Sequence, residues 1–190
     1  QYLLIFSCII QMKAANIQNL LQNNISGGVR GPKTCPGGCR SLSIIPVFPG
    51  FCNGEVSMKT IAIIGTGLMG TDIACASAMA GFEVLLYDID NERAAKALGR
   101  LKDRFKRYVH TGRFDQGKAD TIVRHFRLCN APEEVRDALI VIECAFEEIH
   151  VKQQIFRDLD RICRADAVLA SNTSSISITE IASATKRPES

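Results

Sequence analysis

Three glycines, three acids, a lysine and a short run of hydroxyls are the residues here whose types and spacing could do chemistry. Gly65, Gly67 and Gly70 form G-x-G-x-x-G, with Leu68 and Met69 between the last two. That spacing permits a tight turn, then a bare backbone, then close contact between helix and strand, so that free amides at a helix start can meet a pyrophosphate. The motif is weak alone. Here it separates the apolar run 60–64 from the small-residue stretch 68–80, as a strand and a helix would require. Asp88 follows at the end of a second apolar run, eighteen residues after Gly70. A carboxylate there accepts from adenosine ribose hydroxyls and repels the extra phosphate of NADP, so the spacing favours NAD. Arg93, the nearest base, falls in the next predicted helix. Asp72 is expected in the first turn after the glycines, where it would compete with phosphate unless it points to solvent.

A second group lies downstream. Val141-Ile-Glu-Cys-Ala-Phe-Glu147-Glu-Ile-His-Val-Lys152 leads into a helical pattern, and Leu169-Ala-Ser-Asn172-Thr-Ser174-Ser ends an apolar run. Glu148 and Lys152 are four apart, which also suits a surface ion pair. Ser174 could serve as a turn or cap, but Ser177 with Glu180 already makes a capping box, which leaves Ser174 available. His110, His125 and His150 are not placed beside Ser174 at a strand end. Eight cysteines are scattered; Cys35 and Cys39 give C-x3-C with no second pair, a poor zinc spacing, so they read as reduced and no metal is expected.

The elements that must position these groups alternate. Strands are predicted over 60–64, 83–87, 127–129, 139–143 and 167–170, with helices over 68–80, 92–108, 116–126 and 149–162 and another from Ser177. That order implies an α/β, Rossmann-type doubly wound parallel sheet, incomplete, with a helical excursion between strands two and three. The first 54 residues contain no Asp or Glu, and 26–54 is dense in Gly, Pro, Ser and Cys. Residues 1–57 are therefore an irregular extension and 58–190 the dinucleotide-binding domain. The extension is either a mitochondrial presequence starting at Met12 or non-native chain ahead of a start at Met58. The location is mitochondrial in the first case, and cytoplasmic or peroxisomal in the second. A net charge of +3 argues for no nucleic acid, and no apolar run is long enough for a membrane span.

On the glycine loop, the 141–152 segment, the Ser-Asn-Thr-Ser-Ser block and the tail Ile176-Ser-Ile-Thr-Glu-Ile-Ala, the sequence from about Lys59 onward resembles the 3-hydroxyacyl-CoA dehydrogenase family. The resemblance implies NAD as cofactor, bound by Gly65, Gly67, Leu68, Met69, Gly70 and Asp88. It places Glu147, Lys152 and Asn172 near the nicotinamide half and makes Ser174 the serine that orients the substrate's 3-oxygen. It further implies an acyl-CoA substrate, hydride transfer from C3 as in fatty-acid β-oxidation, and a homodimer built by a helical domain. The family's catalytic histidine stands in a His-Phe-Phe-Asn-Pro strand that would follow Ser190, so this chain alone is expected to bind NAD without turnover. Asp72, Cys144 and Phe146 depart from the family pattern, and nothing is carried over onto 100–111. Two rivals stay open: a β-hydroxyacid dehydrogenase, against which the serine block speaks, and a non-catalytic, crystallin-like NAD-binding protein.

Overall fold

The computed structural model describes residues 60–188. The expectations for 1–57, and for Cys35 and Cys39, lie outside those residues. Apolar runs too short for a helix and bounded by turns form five parallel strands. They are β1 (Thr60–Ile64), β2 (Glu83–Tyr87), β3 (Phe126–Cys129), β4 (Ile140–Glu143) and β5 (Val168–Ser171), in the order β3-β2-β1-β4-β5. The helices are α1 (Leu68–Met79), α2 (Asn91–His110), α3 (Gln116–Val123), α4 (Ile149–Ile162) and the short α5 (Ile178–Ala182).

Register brings the candidate residues together. Ile64 stands opposite both Tyr87 and Glu143, and Glu143 opposite Ser171. The residues that leave the sheet next, Gly65, Asp88, Cys144 and Asn172, therefore emerge at one end. The chain runs outward from β1 through β2 to β3, then returns to place β4 on the other side of β1. That reversal opens a crevice at the carboxyl ends of β1 and β4, where doubly wound sheets bind ligands.

One face of the sheet buries Ala62, Ile64, Val141 and Leu169 with Phe156 and Leu159 of α4 and Ile181 of α5. α2 is anchored at its start by the Asp90 side chain, which accepts from the amides of Glu92 and Arg93. It buries Ala94, Ala97, Leu101 and Phe105 at near-helical spacing. Burying Phe105 contributes roughly 2–3 kcal/mol.

Several predicted boundaries move. The helix predicted over 116–126 ends at Val123, because Phe126 joins β3 opposite Val84 and sets its ring 6.2 Å from that of Phe105. The last strand lies one residue later than predicted, which puts Ser171 inside it. A 3-10 turn at Pro132–Val135 was not foreseen; Glu134 closes it by accepting from the amides of Asn130 and Ala131. Ser177 does stand at the start of α5, but its side chain makes no capping hydrogen bond, so the predicted box does not form. Among the described residues β5 pairs only with β4 and forms a sheet edge, and no helix is long and apolar enough to cross a membrane.

Candidate functional site

The glycine loop is held from behind. Gly65 has φ 96°, and a β-carbon there would stand 2.7 Å from the Cys144 carbonyl oxygen at the end of β4. Its amide donates to the Tyr87 carbonyl at 2.8 Å, which ties β1's exit to β2's. A β-carbon on Gly70 would stand 2.0 Å from the Gly65 carbonyl oxygen, so only glycine lets α1 start this close to the strand. Gly67 differs: nothing lies within 4 Å of its would-be β-carbon. The backbone there faces open space.

No side chain caps α1 and no acid lies in its first turn. Among the described residues the amides of Gly67, Leu68, Met69 and Gly70 have no hydrogen-bond acceptor; the first hydrogen bond of the helix runs from Thr71 N–H to the Gly67 carbonyl. Four such donors at the positive end of a helix could hold a phosphate. Asp72 lies one turn further along, and its carboxylate pairs with Arg104 of α2 at 2.7 Å. It neither opposes the phosphate site nor points freely into solvent, as expected from sequence, because α2 supplies a counter-charge.

Asp88 is 4% exposed. Its Oδ2 accepts from the amide and hydroxyl of Thr66 at 2.8 and 2.9 Å, and its Oδ1 accepts from the Asp90 amide at 3.2 Å. Thr66, between the two loop glycines, thus fixes the acid beside the glycine loop, with an Oδ1 lone pair that could accept from a hydroxyl. Arg100 of α2 donates to the Thr66 carbonyl at 3.2 Å and braces the loop from outside.

The other half of the crevice centres on Glu147, in the loop between β4 and α4. Its Oε1 accepts from the Thr173 hydroxyl, from the Ser174 amide at 3.1 Å, and from the Ser175 amide and hydroxyl at 3.3 and 3.0 Å. The Thr173 hydroxyl above all, joined by those of Ser175, the Ser174 amide and the Lys152 ammonium, holds its carboxyl down to about 2 against the opposing effect of burial. Lys152 is 0% exposed, donates to Glu143 at 2.8 and 3.0 Å, and forms an ion pair with Glu147 Oε2 at 3.2 Å. Pairing with Glu148 at the surface is therefore corrected: Lys152 lies under the loop, with partners from β4 and the β4–α4 connection. Glu143, also fully buried, further accepts from the Ala145 amide at 2.6 Å and from the Ser171 hydroxyl.

Ser174 is exposed, and its hydroxyl has no partner among the described residues; only its amide is engaged. It caps no helix. Asn172 donates its amide to the Glu143 carbonyl at 2.7 Å and so sits at the carboxyl end of β5. His110 and His150 are exposed, and His125 faces the Ala78 carbonyl at 3.4 Å, so none joins the cluster. Of the groups not singled out from sequence, Glu143 left a trace, an acid closing the apolar run Ile140–Glu143. Thr66, Ser171 and Thr173 left none, since small hydroxyl residues suit any turn.

The residues present thus fit a dinucleotide: free amides, an open glycine, a fixed acid on one side and an acceptor-rich loop on the other. The 3-hydroxyacyl-CoA dehydrogenase NAD binding domain family matches residues 60–190. A probable 3-hydroxybutyryl-CoA dehydrogenase of Bacillus subtilis is 40% identical over 134 residues, 70% of this chain and 47% of that protein. The peroxisomal fatty acid beta-oxidation multifunctional protein MFP2 of Arabidopsis thaliana is 36% identical over 68% of this chain and 18% of its own length. The crystal structure of 3-hydroxybutyryl-CoA dehydrogenase from Escherichia coli K12 superimposes with a TM-score of 0.68 at 35% identity, covering 70% of this chain and 28% of that one. The chain spans less than half the length of these relatives. It belongs to the 3-hydroxyacyl-CoA dehydrogenase family, of which residues 60–190 are the NAD-binding domain.

Proposed function

We propose that this domain binds NAD across the ends of β1 and β4 and forms the cofactor half of an (S)-3-hydroxyacyl-CoA dehydrogenase. The observation that carries the reading is the pairing of Thr66 with Asp88, which fixes a ribose acid beside four free amides. Pyrophosphate lies on the amides of α1, with the adenosine ribose at Asp88 and the nicotinamide riboside on the β4 side, toward Glu147. Bound NAD supplies the hydride acceptor. The chain's own residues hold and orient it: the glycine loop by backbone donors, Glu147 by tying down the loop of Asn172 and Ser174. Ser174, with a free hydroxyl at the end of β5, is the group offered to the 3-oxygen of an acyl-CoA substrate.

No histidine of the described residues reaches this cluster, so the proton from the 3-hydroxyl must be taken by a group these residues do not provide. Hence the domain is expected to bind cofactor without turning over by itself. The test has two arms. Native residues 58–190 alone should bind NADH yet leave 3-hydroxybutyryl-CoA and NAD unreacted at 340 nm. The protein extended by a family catalytic and helical domain should reduce NAD with the acyl-CoA and not with free 3-hydroxybutyrate. Oxidation of the free acid in preference would favour the β-hydroxyacid rival; NADH binding without activity in the extended protein would favour the non-catalytic one.

A further inference from the structure

Asp72 puts an acid close to a helix start that suits an anion. It is the fifth residue of α1, just beyond the four amides that have no acceptor among the described residues. Helical side chains lean toward the start of their helix, which carries its carboxylate back toward those amides. By the rise of the helix, a phosphate held there would stand roughly 8–10 Å away. Between the dielectric of protein and that of water, one bare negative charge at that distance weakens binding of a pyrophosphate roughly 3- to 20-fold. The charge is met from another element. Arg100, Arg104 and Arg107 fall at i, i+4 and i+7 on the face of α2 that runs along Leu68 and Thr71 of α1. Arg104 ion-pairs with Asp72 at 2.7 Å, and the side chains are 21% and 23% exposed, so solvent screens them only in part. Among the described residues each is the other's only ion-pair partner. Arg100 is engaged elsewhere, donating to the Thr66 carbonyl at 3.2 Å, while Arg107 and Asp103 line the same cavity with opposite charges.

We propose that Arg104 is a positioning residue for cofactor binding that acts through Asp72: it holds that carboxylate on the α2 side and cancels its charge, so that the start of α1 stays positive toward the pyrophosphate. This rests on the dinucleotide reading above. It adds a residue of the helical excursion, outside the glycine loop, to those that set cofactor affinity. It also gives the two members of one ion pair opposite effects. Removing the arginine bares an acid that repels the phosphates; removing the acid bares a cation that attracts them. A pair that served only to hold α1 against α2 would give a loss from either side.

The experiment titrates the full chain with NADH, at about 0.02 M and about 0.5 M salt, comparing native protein with Arg104→Met, Asp72→Asn and the double variant. At low salt Arg104→Met should bind roughly 3- to 20-fold more weakly and Asp72→Asn roughly 2- to 10-fold more tightly. The double variant should return to within about threefold of native. At high salt the loss in Arg104→Met should shrink to within about twofold, because the Debye length falls from about 20 Å to about 4 Å, less than the separation that matters. Binding by Asp72→Asn no tighter than native, a loss in Arg104→Met that salt leaves unchanged, or a double variant as weak as Arg104→Met would each overturn the proposal and leave the pair as a structural tie. Should Arg104→Met not fold, Asp72→Asn, which leaves no bare acid, still decides by the sign of its effect. A native chain that binds no NADH overturns the dinucleotide reading together with this proposal. Native binding with both single variants weakened overturns this proposal alone.

Discussion

Two of the loop glycines can be told apart by one methyl group each. In Gly70→Ala the new carbon would lie 2.0 Å from the Gly65 carbonyl oxygen and 3.2 Å from Ile63 Cγ2. Ordinary carbon–oxygen contact is nearer about 3.3 Å, so the start of α1 must shift by about 1 Å and overpacking costs roughly 1–3 kcal/mol. For a domain of this size that corresponds to a melting temperature lower by about 4–12 °C. In Gly67→Ala the methyl meets nothing, and φ −63° with ψ −166° suits alanine. Melting should hold within about 2 °C or rise slightly, since alanine restricts the unfolded chain. The methyl nevertheless occupies the space through which a phosphate approaches the amides. Losing one charge-assisted contact of about 1.5–3 kcal/mol weakens NADH by roughly 10- to 100-fold. Differential scanning fluorimetry without ligand and NADH fluorescence titration read the two effects independently. A stable Gly67→Ala that binds NADH like the native chain would refute the assignment of that open space to pyrophosphate. A Gly70→Ala as stable as native would refute the close approach.

Asp88→Asn keeps an acceptor for Thr66 but loses the charge, so NADH affinity should fall by about tenfold and the preference over NADPH should narrow, read by parallel titrations. An unchanged ratio would remove Asp88 from cofactor selection. Glu147 has a folded pKa near 2, below its ordinary 4.5, so its contribution to stability is present above about pH 4.5 and disappears as pH falls through about 2. The melting difference between native and Glu147→Gln should therefore be largest near pH 6 and shrink toward pH 2.5; a constant difference would contradict the sign. Gly99, within α2 with nothing near its would-be β-carbon, should accept alanine with a gain of roughly 0.5–1 kcal/mol in a urea melt, and a loss would mean that the space is used.

The glycine turn was legible because its geometry is local. Gly65, Gly67 and Gly70 lie within one turn, and their spacing states both the turn and the approach. The placement of Asp88 beside the glycine loop was legible because a parallel register brings the end of β2 beside the end of β1, a consequence of the strand order alone. The alternation of strands and helices gave the layer architecture for the same reason. The buried charges were harder to read. Glu148 and Lys152 sit four apart on a helix and suggest a surface pair, whereas Lys152 in fact reaches back nine positions to Glu143. Helical periodicity shows which residues share a face, not what that face covers. Thr173 and Ser175 were missed as ligands of Glu147 because their partner stands more than 25 residues away and hydroxyls carry no spacing rule. Arg104 was invisible for a similar reason: only packing of α2 along α1 brings it to Asp72. The end of α3 was misjudged because β2 pairs with Phe126, a tertiary demand that overrides helix propensity.

Most direct is a fluorescence titration of the purified chain with NADH and, in parallel, NADPH. Saturable NADH binding, with NADPH weaker by at least about tenfold, is expected from four amides without an acceptor among the described residues beside an Asp88 fixed by Thr66. Equal binding of the two cofactors, or no saturable binding of NADH, would contradict it.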